Sequence, residues 1–147
     1  MRRVMRSAAR RRGSTMVEMA LVGVFLFLLL LAAVEFGRMV LVYTNVANSA
    51  RVGVRYAIVH GATNTGTGAA GPNGPGATTE IVNVVKDYAG SGLLDPNRMT
   101  ITVTYPDGGL NSPGSQVSVR VTYPYDPLSV LPLGVTLGSQ TTGVITF

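Results

Sequence analysis

The feature that most constrains the fold is the apolar run MALVGVFLFLLLLAAV, residues 19–34, which contains no charged side chain. In a helix, this run would place apolar side chains on every face, as is typical of a helix in lipid, and not in the single stripe of a surface helix. The run is slightly shorter than the roughly 20 residues that span a bilayer, but apolar flanks extend it. We therefore expect one transmembrane helix over residues 14–43, with Glu18, Glu35 and Arg38 paired or near an interface.

The charge distribution orients this helix. Of the twelve basic residues, six lie before Gly13, so the chain beyond it carries six basic residues against seven acidic ones. Arginines beside a transmembrane helix remain in the cytoplasm. We expect residues 1–13 to form a basic cytoplasmic leader and residues 44–147 to be extracytoplasmic. No nucleic-acid partner is expected, because the basic tail lacks interleaved aromatic residues.

Two ordinary export signals are alternatives for this N-terminus. A secretory signal peptide also has a basic start and an apolar segment, but small residues should mark its cleavage site after that segment. Ala32 and Ala33 are small, whereas Leu30 and Leu31 are large. A twin-arginine signal would use the paired arginines Arg11 and Arg12. Gly-Ser-Thr-Met follows this pair, where bulky apolar residues are expected. Both alternatives stay open at this point.

A third interpretation rests on Gly13 and Glu18. Basic residues, a glycine, a glutamate at the fifth place after it and then an apolar helix resemble the class III signal of type IV pilins, and specifically the TadE-like pseudopilins of the tight-adherence (Flp) machinery. The resemblance implies that a membrane-embedded prepilin peptidase cuts between Gly13 and Ser14. It also implies that Glu18 pairs with the new α-amino group of Ser14 in a neighbouring subunit.

Physical chemistry is consistent with these implied roles. Glycine lacks a Cβ and lets a chain enter a narrow protease cleft in extended form. A carboxylate at the edge of hydrocarbon is costly without a partner and usually marks a functional pairing. Glu35 and Arg38, three residues apart, can pair on neighbouring helical turns and form a possible interface contact.

The resemblance continues beyond the signal, in VEFGR at 34–38, NVANSAR at 45–51, GVRYA at 53–57, YPYDPL at 123–128 and LPL at 131–133. Met19 departs from the pattern, because Flp pilins favour tyrosine after the glutamate. This departure, with the chain's length, favours a minor pseudopilin over the major pilin.

Helical periodicity continues past the membrane, and we expect the helix to extend over residues 44–59. Small apolar side chains form a stripe there, at Ala47, Ala50, Val54 and Ala57. Small residues permit close helix contacts. The stripe packs either against the chain's own sheet, which we favour, or against another subunit.

Residues 61–76 are predicted to form an exposed glycine-rich linker. His60, just before this linker, has no nearby cluster of residues that could complete a metal site. A short helix over residues 79–88 should follow, capped by Thr78 or Thr79, with Ile81, Val84, Val85 and Tyr88 on its packing face.

Strict alternation predicts strands at residues 99–105 and 116–123, the second with Val117, Val119, Val121 and Tyr123 inward and Ser118, Arg120 and Thr122 outward. We expect prolines 124, 127 and 132 to stop regular pairing, and a last strand to lie within residues 139–147. The expected architecture is α+β and pilin-like, with a long N-terminal helix, a short helix and a roughly three-stranded antiparallel sheet within residues 99–147.

The sequence contains no cysteine, one histidine and scattered acids, so we expect neither an enzyme nor a cofactor or metal site. We expect a minor pseudopilin of the bacterial inner membrane, with a cytoplasmic N-terminus and a periplasmic C-terminal domain, that serves pilus assembly, adhesion or secretion. Its implied partners are membrane lipid, the prepilin peptidase, other pilins or pseudopilins and the assembly platform. The alternative is an unprocessed, signal-anchored extracytoplasmic binding protein.

Overall fold

The structure, a computed structural model, describes residues 6–64, 73–92, 94–128 and 134–146, and their side chains from Gly13 onwards. The chain divides into two units, Met1–Arg38 and Met39–Phe147. Its elements confirm the expected α+β class. In chain order they are helix α1 Arg6–Val59, helix α2 Thr79–Gly90, the 3-10 turn Pro96–Arg98, and strands β1 Thr100–Thr104, β2 Gln116–Tyr125 and β3 Val135–Val144.

In the second unit, α1 buries one face against the rest of that unit. Its fully or nearly buried apolar residues recur at helical spacing: Val42, Val46, Ala50, Val54 and Ala57. At Gly53 the approach is close, because a Cβ there would lie 2.5 Å from Val85 Cγ2 and 3.2 Å from Val119 Cγ1. The stripe therefore packs within the chain, as favoured above, although Ala47 is only half-buried.

The sheet has the order β1-β2-β3, and both neighbouring pairs are antiparallel. Val119 lies at its centre, opposite Val103 on β1 and Thr141 on β3. The four predicted inward residues of β2 are all buried. Gly114, with φ of 92°, starts a one-residue bulge in which its N–H donates to Ile145 O at 2.8 Å.

Helix α2 covers the core beside α1 and differs from its prediction in three respects. It continues to Gly90, two residues further than expected, and Tyr88 is 38% exposed instead of packed. The buried residues are Ile81, Val85 and Ala89. Thr78 occupies the N-cap position without a side-chain hydrogen bond, because its φ and ψ of −93° and −1° are helical and a capping side chain needs extended backbone.

The expectation that Pro124 stops pairing is wrong. Strand β2 continues to Tyr125, and Pro124 lies opposite Thr136 of β3. The N–H of Gln116 points away from β3 and donates to Asp107 Oδ2 at 2.7 Å, and alternation puts the nitrogen of Pro124 on that same side. Pairing with β1 ends at Thr122, so the missing N–H of the proline breaks no ladder bond.

Other strand bounds also shift. Strand β3 begins at Val135, four residues before the predicted segment, while β1 is limited to Thr100–Thr104 and is flanked by the buried Met99 and Tyr105. Ser118 lies on the outward side as predicted but is only 2% exposed. Gln140 Nε2 and Thr142 Oγ1 donate to its hydroxyl at 2.9 and 3.3 Å and cover it.

The predicted exposed linker is buried in part, whereas Ala62, Thr63, Pro75 and Gly76 are exposed as expected. Gly61, Asn73 and Gly74 are buried. Asn73 N–H donates to His60 O at 2.7 Å, and Asn111 Nδ2 donates to Asn73 O at 2.9 Å. The buried residues on both sides of the segment therefore contact other parts of the second unit. The intervening residues 65–72, like the predicted proline stop at 132, lie outside the described residues.

Candidate functional site

The first candidate site is the apolar part of α1 in the first unit. Every side chain over residues 13–34 is exposed, including Phe25 at 63%, Leu28 at 57% and Leu30 at 62%. The best window of the helix has a mean hydropathy of 2.7, and none of it is buried. Water would strongly oppose such exposure of apolar area. By length and composition this helix can cross a membrane.

The predicted processing residues lie near the start of that described surface. Gly13 and Ser14 are exposed, and a Cβ built at Gly13 meets nothing within 4 Å. Both residues lie inside α1, which begins at Arg6. Proteases bind their substrates in extended form, so a cut after Gly13 requires local unwinding of the helix. Glycine eases that unwinding because it stabilises a helix by about 1 kcal/mol less than alanine does.

Glu18 lies one helical turn beyond Ser14, on the same face of α1, and its side chain is exposed. A carboxylate at this place is available to a cationic group from outside the chain. It also borders the apolar run, where low dielectric strengthens a charge pair. The geometry is compatible with the predicted amine pairing, which stays a prediction.

Glu35 and Arg38 form an ion pair at the other end of the apolar run. Glu35 Oε1 lies 3.8 Å from Arg38 Nη1, which is a longer separation than a charge-assisted hydrogen bond has. Their side chains are 21% and 40% exposed, respectively. The pair lies on α1 between the exposed apolar residues 13–34 and the part of α1 in the second unit, which begins at Met39. Its role as an interface contact stays a prediction.

Among the described residues of the second unit, Arg98 and Asp126 form a charge pair that the sequence did not indicate. Arg98 Nη2 donates to Asp126 Oδ2 at 2.6 Å, and the same guanidinium lies 5.7 Å from the centre of the Tyr123 ring. The hydrogen bond to Asp126 raises the pKa of Arg98 above its ordinary value. Arg98 and Asp126 are 28 residues apart, so only the fold brings them together.

His60 follows Val59, the last residue of α1, and contacts the last turn of that helix. Its Nδ1 donates to Tyr56 O at 2.8 Å, and its ring stacks on the Tyr56 ring with centroids 4.0 Å apart. Within the part of the chain that the structure describes, no group of three or more histidines and acids could hold a metal ion.

Residues of the same helix match a known protein family. Residues 13–55 match the family described as TadE-like protein. The match confirms the resemblance found in the sequence, and it runs from the predicted cleavage glycine through the helix into the second unit. The comparisons with curated proteins and with solved structures found no match.

The TadE-like family is a family of pilus components of the tight-adherence machinery, and the match to it covers 43 of the 147 residues of this chain. The long apolar helix near the N-terminus is consistent with membrane anchoring. The TadE-like region thus includes both kinds of surface on α1: the exposed apolar part, and the stripe that packs on the second unit.

Proposed function

We propose that this protein is a minor pseudopilin of a tight-adherence pilus or a related secretion system. A prepilin peptidase cuts it after Gly13, and the mature chain begins at Ser14. The observation that carries the proposal is the match of residues 13–55 to the TadE-like family, which starts at the proposed cleavage glycine.

The mature helix serves first as an anchor in the bacterial inner membrane. The arginine-rich leader holds the N-terminus in the cytoplasm, and the second unit lies on the periplasmic side. Support comes from the completely exposed apolar surface of residues 13–34, which has no packing partner in the described chain.

The same surface then packs against other pilins or pseudopilins at the assembly platform. Glu18 pairs with the α-amino group of Ser14 in a neighbouring subunit, and this pairing fixes the axial position of the helices. Support comes from the exposure of Glu18 beside hydrocarbon, where an unpaired carboxylate is costly. The Glu35–Arg38 pair is a second candidate contact, at the outer end of the apolar run.

The test is the mass of the mature N-terminus in a strain with its prepilin peptidase and in one without it. We expect a chain that begins at Ser14 in the first strain and an uncut chain in the second. Gly13→Leu should block the cut, whereas Gly23→Leu should not, because both glycines stand in open space on α1 but only Gly13 borders the bond.

Other results would contradict the proposal. An uncut chain in both strains would favour the signal-anchored binding protein, and a chain that begins beyond the apolar run would indicate an ordinary signal peptide. For the pairing, Glu18→Ala should be cut normally but lost from assemblies. Normal incorporation of Glu18→Ala would show that the carboxylate is not an assembly contact.

A further inference from the structure

The outer edge of β3 is a long row of backbone hydrogen-bonding groups. Ile145 directs its N–H and C=O toward β2, because its N–H donates to Ser115 O and its O accepts from Gly114 N–H, both at 2.8 Å. Antiparallel pairing alternates this direction along a strand. The groups that point away from β2 therefore belong to every second residue: Thr136, Gly138, Gln140, Thr142 and Val144.

A contact at the end of β3 supports this assignment. Thr146, the next residue of the alternating set, donates its N–H to Ile58 O of α1 at 2.9 Å. Within the described ranges, no backbone hydrogen bond joins the outer edge of β3 to another segment before Thr146. The strand contains neither a proline nor a charged residue, the two features by which edge strands usually prevent further pairing.

The opposite edge of the sheet, on β1, is short. Gln116 N–H points to the β1 side of β2, so Thr100, Thr102 and Thr104 pair with β2, and Ile101 and Val103 direct their backbone groups outward. The side chains of Ile101 and Val103 face the core but are only half-buried. This edge also lacks charge and proline.

We propose that the β3 edge of one copy pairs with the β1 edge of a second copy, head to tail, so that the sheet continues between copies. Strands β1 and β3 both run antiparallel to β2, and they therefore run parallel to each other. Copies in the same orientation bring β3 and β1 together as a parallel pair. Outward threonines then continue one polar face, and half-buried Ile101 and Val103 gain cover.

Membrane anchoring argues against the two-fold alternative, in which β3 pairs with β3. When β3 pairs with β3 in antiparallel fashion, the two-fold axis is perpendicular to the sheet and runs the sheet-packed α1 segments of the two copies in opposite directions. Copies anchored in one membrane by the same end of α1 need these segments to run in the same direction. This step rests on the proposed function.

A head-to-tail contact does not close on itself and generates open assemblies. Ile101 and Val103 supply four backbone groups in all, which is few for a stable interface. The contact therefore depends on copies that are already concentrated in one membrane. It would act together with the helix contacts of the first unit.

The absence of cysteine from the chain permits a clean cross-linking test. Thr102→Cys and Gln140→Cys place thiols on the exposed outer sides of β1 and β3. A thiol cross-linker that spans about 8 Å reaches both opposite and diagonal neighbours on paired strands. The full-length double variant, in membranes that also contain its assembly machinery, should give a ladder of dimers, trimers and larger products. Each single variant should give none.

The matched control replaces Gln140→Cys with Asn83→Cys, an exposed position on α2, and should give no ladder. Dimers from Gln140→Cys alone would overturn the proposal in favour of two-fold pairing, because Gln140 lies near the centre of β3. Absence of products from the double variant would also overturn it. Since the mature N-terminus is measured on the same samples, a correctly cut chain without a ladder rejects the edge pairing and leaves the proposed function intact.

Discussion

Helix α1 carries apolar side chains in both units, but their exposure differs between the two units. Over residues 13–34 the side chains are exposed on all sides of the helix. In the second unit, apolar residues such as Val46 and Ala50 are fully buried, while Thr44 and Arg51 on other faces are exposed. The apolar side chains of the first unit require lipid or neighbouring helices to cover them. Those of the second unit are covered by other parts of the same chain.

The first unit depends on its surroundings, whereas the second unit has a core of its own. The second unit has a sheet, a second helix and a core centred on Val119 and Val85, both 0% exposed. The first unit is a helix whose apolar surface has no cover within the described chain. Changes in the second unit should therefore affect folding, and changes in the first should affect membrane or assembly behaviour.

The largest expected effect comes from a charge in the core. Val119→Lys places an ammonium group where the native side chain is 0% exposed, and it should lower the free energy of unfolding by about 4 kcal/mol or more. Thermal unfolding of the purified protein in detergent measures the change. Arg120→Lys, the exposed neighbour, is the control and should unfold like the native chain. Equal stability of both variants would mean that the sheet does not form the core.

A smaller effect comes from overfilling the helix–sheet contact. Gly53→Leu forces a side chain into space occupied by Val85 and Val119, and should cost about 2 kcal/mol in unfolding free energy. Gly37→Leu is the matched control in the first unit, because a Cβ there meets nothing within 4 Å. Denaturant midpoints compare the two variants. A native midpoint for Gly53→Leu would refute the close packing of α1 on the sheet.

The smallest effect concerns Tyr105, which is 8% exposed and whose hydroxyl has no hydrogen-bond partner among the described residues. A buried hydroxyl without a partner lowers stability by about 1 kcal/mol or more. Tyr105→Phe should therefore match or exceed the native chain in unfolding free energy. A clear loss of stability would show that the hydroxyl does have a partner.

The pH dependence of unfolding gives an independent measurement on Tyr105. Burial raises the pKa of the phenol above its ordinary value of 10.0, so the folded chain keeps the proton while the unfolded chain releases it near that pH. The unfolding free energy of the native chain should then fall as the pH rises past 10. Tyr105→Phe should show a shallower decline, and identical slopes would contradict the assignment.

Much of the fold could be predicted because local patterns determined it. Alternation in β2 identified Val117, Val119 and Val121 as inward residues, and the stripe on α1 identified Ala50 and Val54 as packing positions. Strand β3 was placed too late because its first residues, VTLGS, have little alternation of large apolar side chains.

The remaining differences depend on contacts between distant segments. Pro124 fits within β2 because β1 has already ended beside it, a condition that no local pattern contains. Asn73 is buried because Asn111, 38 residues away, meets it. For the candidate site, the resemblance identified the TadE-like helix, which the family match confirms. Cleavage after Gly13 and the pairing of Glu18 stay predictions, because both involve partner molecules.

The most direct test of the contrast between the units is the labelling of single cysteines in the native membrane. Leu28→Cys lies in the middle of the exposed apolar helix, and Ser112→Cys lies on an exposed loop of the second unit. A maleimide that cannot cross membranes, added to the periplasmic side of intact cells with a permeable outer membrane, should label Ser112→Cys and leave Leu28→Cys unlabelled. Equal labelling of both would contradict the account, because it would place the apolar half of α1 in water.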